Sequence, residues 1–321
     1  MGSGELLQLR VLSVSLEAEG IRSFDLRPVP PLRELPPFTA GAHIDLHLPN
    51  GLIRSYSLLN APGETHRYLI AVNKDPNSRG GSSYLHGTLR VGDVVSAGMP
   101  RNNFPLDETA AHSILIAGGI GITPMWCMIQ RLEQIGRRWT LHYAARTRRN
   151  AALLDAIGKL AGGDGKVELT FDAEPGGVML DLAGIVARAP PDAHLYCCGP
   201  VPMLESFERA AAGRAPGTVH VEYFAAKDKP DTAGGFTVEL ARSGTTIFVP
   251  VGKTILDALI DEGVSVDYSC QEGICGMCEV RVLEGMPDHR DLVLSATEKA
   301  GNESMMICCS GARSPKLVLD L

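Results

Sequence analysis

Four cysteines constrain this chain more than anything else in it. Cys270, Cys275 and Cys278 stand in YSCQEGICGMCEV with four and then two residues between them, and Cys308 follows after a further twenty-nine in MICCSGA. A loop that turns three thiolates toward one small group must bend tightly, and Gly273 and Gly276 supply the backbone freedom between them. This is the plant-type spacing for a [2Fe–2S] cluster. Structural zinc sites more often pair two short Cys-x2-Cys knuckles, and cysteines that merely fill a core need no spacing at all. Neighbouring strand residues point to opposite faces, so one of Cys308 and Cys309 reaches the cluster, and Cys308 is taken as the fourth ligand.

The remaining cysteines, Cys127, Cys197, Cys198 and Cys309, lie in apolar contexts that suit buried thiols in a reducing compartment rather than disulfides. The 321 residues allow two or three domains, and the formal net charge of −7 comes without any basic run, which argues against a nucleic-acid partner. From Gly234 onward thirteen Asp and Glu face seven Lys and Arg, so most of the imbalance belongs to the cysteine segment. An acidic surface around a redox centre can steer a basic partner. No signal-peptide succession opens the chain and no run of about eighteen apolar residues occurs, so a cytoplasmic protein with no membrane segment is expected.

The first hundred residues alternate short apolar runs with turn signals: LLQLRVLSVSL, PVPPLRELPPF, HIDLHLP, RYLIAVN and VGDVVSAG. Strands at this spacing predict an antiparallel barrel or sandwich. After the turn signal Pro49-Asn50-Gly51 comes Arg54-Ser55-Tyr56-Ser57, which on a strand puts Arg54 and Tyr56 on one face and the two serines on the other. Then follows Arg79-Gly80-Gly81-Ser82-Ser83, where glycines let backbone N–H groups approach a phosphate and the serines add hydroxyls or cap a short helix. Ala71 and Asn73, at the end of RYLIAVN, join Arg54, Ser55, Tyr56, Ser57, Gly80, Gly81 and Ser82 as cofactor-binding candidates.

Ser113–Ala117 reads as a buried parallel strand running into Gly118-Gly119-Ile120-Gly121-Ile122-Thr123-Pro124 and a helix from Met125 to about Ile135. Thr123 is expected as the N-cap and Pro124 at the first helical position. Strand, glycine turn and helix N-terminus together form a seat for a pyrophosphate, with Gly119, Gly121, Thr123 and Pro124 as its residues. Further strands are expected at Trp139–Ala145, at Val167–Phe171 and at His194–Cys198, the last entering Gly199-Pro200 and a helix from Pro202 to Ala212. Alternating strands and helices imply a parallel sheet with its ligand at the strands' C-terminal ends. Arg146 and Arg148 follow the second strand and are candidates for the adenosine ribose or a 2′-phosphate, which leaves NADH and NADPH both open.

Residues 227–235, polar with Pro and paired Gly, read as a linker. A hairpin, Phe236–Leu240 with Thr246–Pro250, a helix over Thr254–Glu262 and a strand over Glu279–Val282 then surround the cysteine loop. His289 in Asp288-His289-Arg290-Asp291 is read as structural, since four cysteines already complete the cluster.

In combination these motifs resemble a known family. R-x-Y-S with a later glycine-rich segment is similar to the flavin domain of the ferredoxin reductase superfamily, in which the arginine pairs with flavin phosphate while the tyrosine and serine meet the ring. R-G-G-S and the D-H-R-D segment resemble the phthalate dioxygenase reductase family, oxygenase reductases containing FMN and a plant-type [2Fe–2S] centre and similar to vanillate O-demethylase reductase subunits. G-G-x-G-x-T-P with C-G-P resembles the nucleotide domain of the same superfamily, which implies that Cys198, with Gly199 and Pro200, lies near the nicotinamide and Phe224 near the flavin ring. The implied catalytic set is Cys198, Ser57 and Phe224, and the family leans to NADH.

The resemblance implies a multidomain α+β and α/β protein: an antiparallel β-barrel flavin domain over 1–106, an α/β parallel-sheet nucleotide domain over 107–226 and a C-terminal β-grasp ferredoxin domain over 236–321. It implies an NAD(P)H-dependent oxidoreductase, with FMN joining a two-electron donor to a one-electron cluster that serves a separate terminal Rieske-type oxygenase. A cytochrome P450 or other haem acceptor would need the same modules, whereas an iron–sulfur redox sensor would have no use for a nicotinamide site aimed at flavin. A monomer suits an electron shuttle.

Overall fold

A computed structural model describes residues 6–160 and 166–321. The chain divides into two compact units, one ending at Phe224 and the other running from Ala225 to Leu321.

The first unit opens with six antiparallel strands, β1 (Leu7–Ala18), β2 (Ile21–Pro28), β3 (His43–His47), β4 (Ile53–Ser57), β5 (Tyr68–Asn73) and β6 (Val94–Ala97). Their order is β4-β3-β6-β1-β2-β5, and an antiparallel bridge between Leu58 and Ile70 joins the two ends of the sheet. The sheet thus curls into a barrel, which leaves no open edge at that seam. Leu9, Val11, Phe24, Leu26, Ile44, Leu46, Leu58 and Tyr68 fill it. Beyond Pro28, which ends β2, the apolar run PVPPLRELPPF forms no strand, since its prolines cannot donate to a ladder, and IRSFDLRP supplies β2. A short helix α1 (Gly81–Gly87) lies between β5 and β6.

The same unit continues with β7 (His112–Gly118), α2 (Ile122–Gln134), β8 (Arg138–Ala145), α3 (Leu154–Leu160), β9 (Val167–Phe171), α4 (Leu182–Arg188), β10 (His194–Cys198), α5 (Val201–Ala211) and β11 (Val219–Glu222). All five strands are parallel, in the order β11-β10-β7-β8-β9. β7, buried at every position, is where the winding reverses: the chain moves out to β8 and β9 on one side and returns to β10 and β11 on the other. In open parallel sheets ligands bind at such a switch point, outside the strands' C-terminal ends.

The second unit comprises β12 (Phe236–Leu240), β13 (Thr245–Val249), α6 (Ile255–Asp261), β14 (Glu279–Glu284), β15 (Pro287–Asp288), α7 (Ala296–Gly301), β16 (Ser304–Met306), β17 (Gly311–Ala312) and β18 (Lys316–Leu319). Its mixed sheet runs β13-β12-β18-β14-β16, with β12 and β18 parallel, and β15 pairs with β17. Thr254 starts α6 through a capping box with Asp257, and Ile255, Leu256, Ala258 and Leu259 bury one face of the helix beneath the sheet. This sheet with one crossing helix is the expected β-grasp arrangement.

The segment expected as a linker is held within its unit from Asp231 onward. The Asp231 N–H donates to the Cys309 carbonyl at 2.7 Å, and Gly235 N–H donates to the Val249 carbonyl at 2.8 Å. Among the described residues no helix is long and apolar enough to cross a membrane.

Candidate functional site

The two glycine loops of the nucleotide sheet meet because their strands are neighbours. β7 leads into Gly118–Gly121 and β10 into Cys198–Pro200, both at the C-terminal edge. A Cβ on Gly118 would come within 2.7 Å of Pro200 Cδ, and one on Gly121 would run into the Cys198 carbonyl. Gly119, Gly121, Thr123, Pro124, Cys198, Gly199 and Pro200 are therefore brought together, with the two loops in backbone contact. Thr123 is not the helix N-cap. A 3-10 turn at Gly119–Gly121 runs directly into α2, which begins at Ile122 with Gly121 as cap, and the Thr123 hydroxyl donates to the Ile120 carbonyl at 3.0 Å. Pro124 accordingly lies inside the first turn, where its missing N–H still removes no helical bond.

Helix α2 also ties this edge to the barrel. Cys127 Sγ donates to the Asn60 carbonyl at 3.2 Å and Gln130 Nε2 to the Leu59 carbonyl at 2.8 Å, at the turn that follows β4. On β4, Arg54 reaches across to the glycine segment: Nη2 donates to the Arg79 carbonyl at 3.2 Å, and a Cβ on Gly81 would lie 2.7 Å from Arg54 Cγ. Gly80, with φ of +94°, caps α1 in a conformation that favours glycine, and no side chain caps that helix. Ser82 Oγ donates to Ser78 Oγ and accepts from Asp75 N–H, so it braces the loop.

Burial pushes the Tyr56 phenol up to about 12, against the opposing pull of the Arg54 guanidinium, so the ring stays neutral. Ser55 donates to Asp45, itself paired with Arg101, and so belongs to the barrel's polar brace. Ser57 is buried and its Oγ has no hydrogen-bond partner among the described residues. A buried hydroxyl left in this way fits a bound group that supplies its partner. Ala71 is buried on β5, and Asn73 ends that strand exposed. Phe224, just past β11, is 37% exposed, which suits a ring covering a flat ligand. Arg146 is exposed at the end of β8, while Arg148 stacks on the Phe171 ring at 4.8 Å.

Glu222, which the motifs did not single out, is paired across the sheet with Cys198. Its carboxyl is hydrogen-bonded to the fully buried Cys198 thiol, and burial raises it to about 8 despite that bond. Burial, with the Glu222 carboxyl and Cys197 beside it, also pushes the Cys198 thiol well up. Near neutral pH both groups therefore hold their protons. The available signal was an acid at the end of an apolar strand, in VHVEYF beside the strand that carries C-C-G-P.

In the second unit Cys270, Cys275, Cys278 and Cys308 are all buried. Cys270 is hydrogen-bonded to both Cys275 and Cys308, and backbone N–H groups of Glu272 and Ile274 point at its sulfur, the former at 3.3 Å. Backbone donors from Cys270 and Met277 serve Cys275. Such donors stabilise thiolates and tune a cluster's potential. Ile307 N–H donates to the Cys278 carbonyl at 3.3 Å, which holds the loop to the segment carrying Cys308; that segment is a turn following β16, not the strand expected, because the ladder of β16 ends at Met306. Cys309 instead packs behind the loop, its Sγ 2.5 Å from where a Cβ on Gly273 would be, and donates to the Met306 carbonyl. Among the described residues no three His, Cys, Asp or Glu side chains converge on one metal ion. A binuclear cluster takes its thiolates in pairs, so four buried thiols on two segments with amide donors fit it better than a zinc ion.

Together the closed barrel, the parallel nucleotide sheet and the four-cysteine β-grasp unit define a modular reductase that takes electrons from a pyridine nucleotide by way of a flavin to a [2Fe–2S] centre. Residues 238–313 match the 2Fe-2S iron-sulfur cluster binding domain family. The chain is 58% identical over 316 residues to phenoxybenzoate dioxygenase subunit beta of Ectopseudomonas oleovorans, covering 98% of this chain and 97% of that protein. The solved phthalate dioxygenase reductase, a modular structure for electron transfer from pyridine nucleotides to [2Fe–2S], aligns with a TM-score of 0.73 and 39% identity over 98% of each chain. An intact type IV self-sufficient cytochrome P450 monooxygenase aligns with a TM-score of 0.88 and 37% identity over 100% of this chain and 42% of its own. The chain belongs to the phthalate dioxygenase reductase family.

Proposed function

We propose that this protein is the reductase component of a two-component oxygenase, passing electrons from NADH through FMN and its [2Fe–2S] cluster to a separate terminal oxygenase with a Rieske centre. The observation that carries the reading is the union, in one chain, of the nucleotide loops at β7 and β10 with the four buried thiols of the β-grasp unit. FMN, held by the residues around Arg54 and Gly80–Ser82, would supply the chemistry that joins a two-electron hydride donor to a one-electron cluster.

The chain's own residues bind and orient. Arg54 with Gly80, Gly81 and Ser82 holds the flavin phosphate, Tyr56 and Ser57 meet the ring, with Ser55, Ala71 and Asn73 around them, and Phe224 covers it. Gly119, Gly121, Thr123 and Pro124 seat the pyrophosphate, Arg146 meets the adenosine end, and Gly199 and Pro200 shape the nicotinamide pocket beside Cys198. Glu222 keeps a proton at the Cys198 thiol, so no thiolate competes with the incoming hydride. The flavin domain spans 1–106, the nucleotide domain 107–226 and the ferredoxin domain 236–321, with 227–235 joining the last two and its part from Asp231 onward packed on the ferredoxin domain. The protein works as a cytoplasmic monomer, without nucleic acid or membrane.

An anaerobic NADH titration followed by visible absorbance, with the released flavin identified by chromatography, tests this. Flavin and iron–sulfur bands should bleach together and the flavin should be FMN; a protein that bleaches only flavin would be a simple flavin reductase. NADPH run in parallel decides the nucleotide. A haem acceptor is the second reading, favoured by the alignment with the self-sufficient cytochrome P450. Turnover with a purified Rieske oxygenase against a purified P450 separates the two.

A further inference from the structure

The turn Asp288–Asp291 belongs to no cofactor site, yet it touches both segments that carry the cysteines. On one side, Leu292 N–H donates to the Gly273 carbonyl at 2.8 Å, and a Cβ on Gly273 would lie 3.0 Å from Asp291 Cα. On the other, Arg290 N–H donates to Ser310 Oγ at 3.3 Å, two residues beyond Cys308. Asp291 is only 1% exposed. Its Oδ2 accepts from the N–H groups of Val293 and Leu294 at 3.1 and 2.8 Å, and Oδ1 has no partner among the described residues. The Lys299 ammonium donates to the Asp291 carbonyl at 2.5 Å and stands 3.7 Å from Oδ2. His289 Nδ1 lies 3.8 Å from Oδ1, outside hydrogen-bond reach, and its Nε2 is 3.0 Å from Asn302 Oδ1. A buried carboxylate is costly without a cation beside it, and here one cation reaches it from α7.

We propose that Asp291 and Lys299 are positioning residues for the cluster: the pair anchors the turn that holds the Gly273 loop against the Cys308–Ser310 segment, and its two charges bias cluster reduction in opposite directions. The proposal rests on the four-cysteine reading. Reduction adds one electron and no proton in this step, so the cluster gains one negative charge. A carboxylate behind the loop disfavours that charge and an ammonium favours it, and inside a protein both act at low effective dielectric. With both present the two effects offset. Removing one exposes the other.

The experiment is a redox titration of the intact, flavin- and cluster-loaded protein, with the reduced cluster followed by electron paramagnetic resonance, in Asp291→Asn and Lys299→Met. Asn keeps the side-chain oxygen that accepts the two N–H bonds, so this variant retains the turn. Asp291→Asn should make reduction easier by about tenfold in the one-electron equilibrium, about 59 mV upward. Lys299→Met should shift it downward, by less, because the lysine is partly exposed. Asp291→Ala, which removes the acceptor, should in addition lose iron to a chelator about tenfold faster. NADH-driven bleaching of flavin should be unchanged in all three. Shifts of the same sign in Asp291→Asn and Lys299→Met, or no shift in either with the cluster intact, would overturn the proposal. An unmodified protein lacking a [2Fe–2S] signal would instead overturn the cluster assignment beneath it.

Discussion

The nucleotide loops and the cysteine loop solve the same problem, holding a cofactor in fixed geometry, by opposite means. At β7 and β10 the two glycine segments are placed by the register of adjacent strands and need only small residues to come together. The cysteine loop has no strand through Cys270–Cys278, and polar contacts from a distant turn hold it. A strand-end site is thus robust to its surroundings but intolerant of side-chain volume. The loop site is also tight, since a Cβ on Gly273 would lie 2.5 Å from Cys309 Sγ, but it depends in addition on buried polar partners.

Replacing a thiolate should break the comparison most completely. With Cys275→Ser, reduction of an external acceptor should fall to background while NADH still bleaches the flavin, as read by stopped-flow absorbance; loss of both would show that the two units do not divide the work. Gly121→Ala is the counterpart at the strand-end site. Its methyl meets the Cys198 carbonyl, so about 1–3 kcal/mol of overpacking strain should appear in thermal unfolding and NADH-driven flavin reduction should fall about a hundredfold. Delivery from chemically reduced cluster to acceptor should stay as before.

Arg54→Ala should weaken FMN about tenfold to a hundredfold in an equilibrium binding assay, the worth of charged hydrogen bonds at about 1.5–3 kcal/mol. The last effect leaves the cofactors untouched and is pH-dependent. The Glu222 carboxyl is raised from 4.5 to about 8 in the folded chain, so between those values the unfolded chain has released a proton that the folded chain keeps. Stability should therefore fall as pH rises through that window, by up to about 1.4 kcal/mol per pH unit. Glu222→Gln should flatten that decline, raising the melting temperature more at pH 8 than at pH 5.

The contrast also governs what could be read beforehand. R-S-Y-S, G-G-x-G-x-T-P, C-G-P and the cysteine spacing are local patterns; R-S-Y-S falls on the expected strand and C-G-P at the expected strand end, whereas Thr123 lies inside its helix and Cys308 in a turn after β16. The barrel closure at Leu58 and Ile70 and the mixed sheet around the cysteine loop follow the predicted classes. What escaped depends on partners far away in sequence. Thr123 looked like a cap because the 3-10 turn before it has no signature. Glu222 became unusual only through pairing with Cys198, and Asp291 only through Gly273 and Lys299. PVPPLRELPPF looked strand-like by hydrophobicity, whereas its prolines lack the donors a ladder requires.

The bond from Asp231 N–H to the Cys309 carbonyl has a practical reach. The same aspartate is 3.3 Å from the Arg290 guanidinium and lies where a Cβ on Gly311 would fall, so it is keyed into the cluster unit before the first strand begins at Phe236. Anyone cutting the gene to express the iron–sulfur module by itself should place the start codon upstream of Asp231. A fragment begun at Phe236 would contain every strand and every cysteine, yet would lack the peg that seats the backbone next to its fourth thiolate.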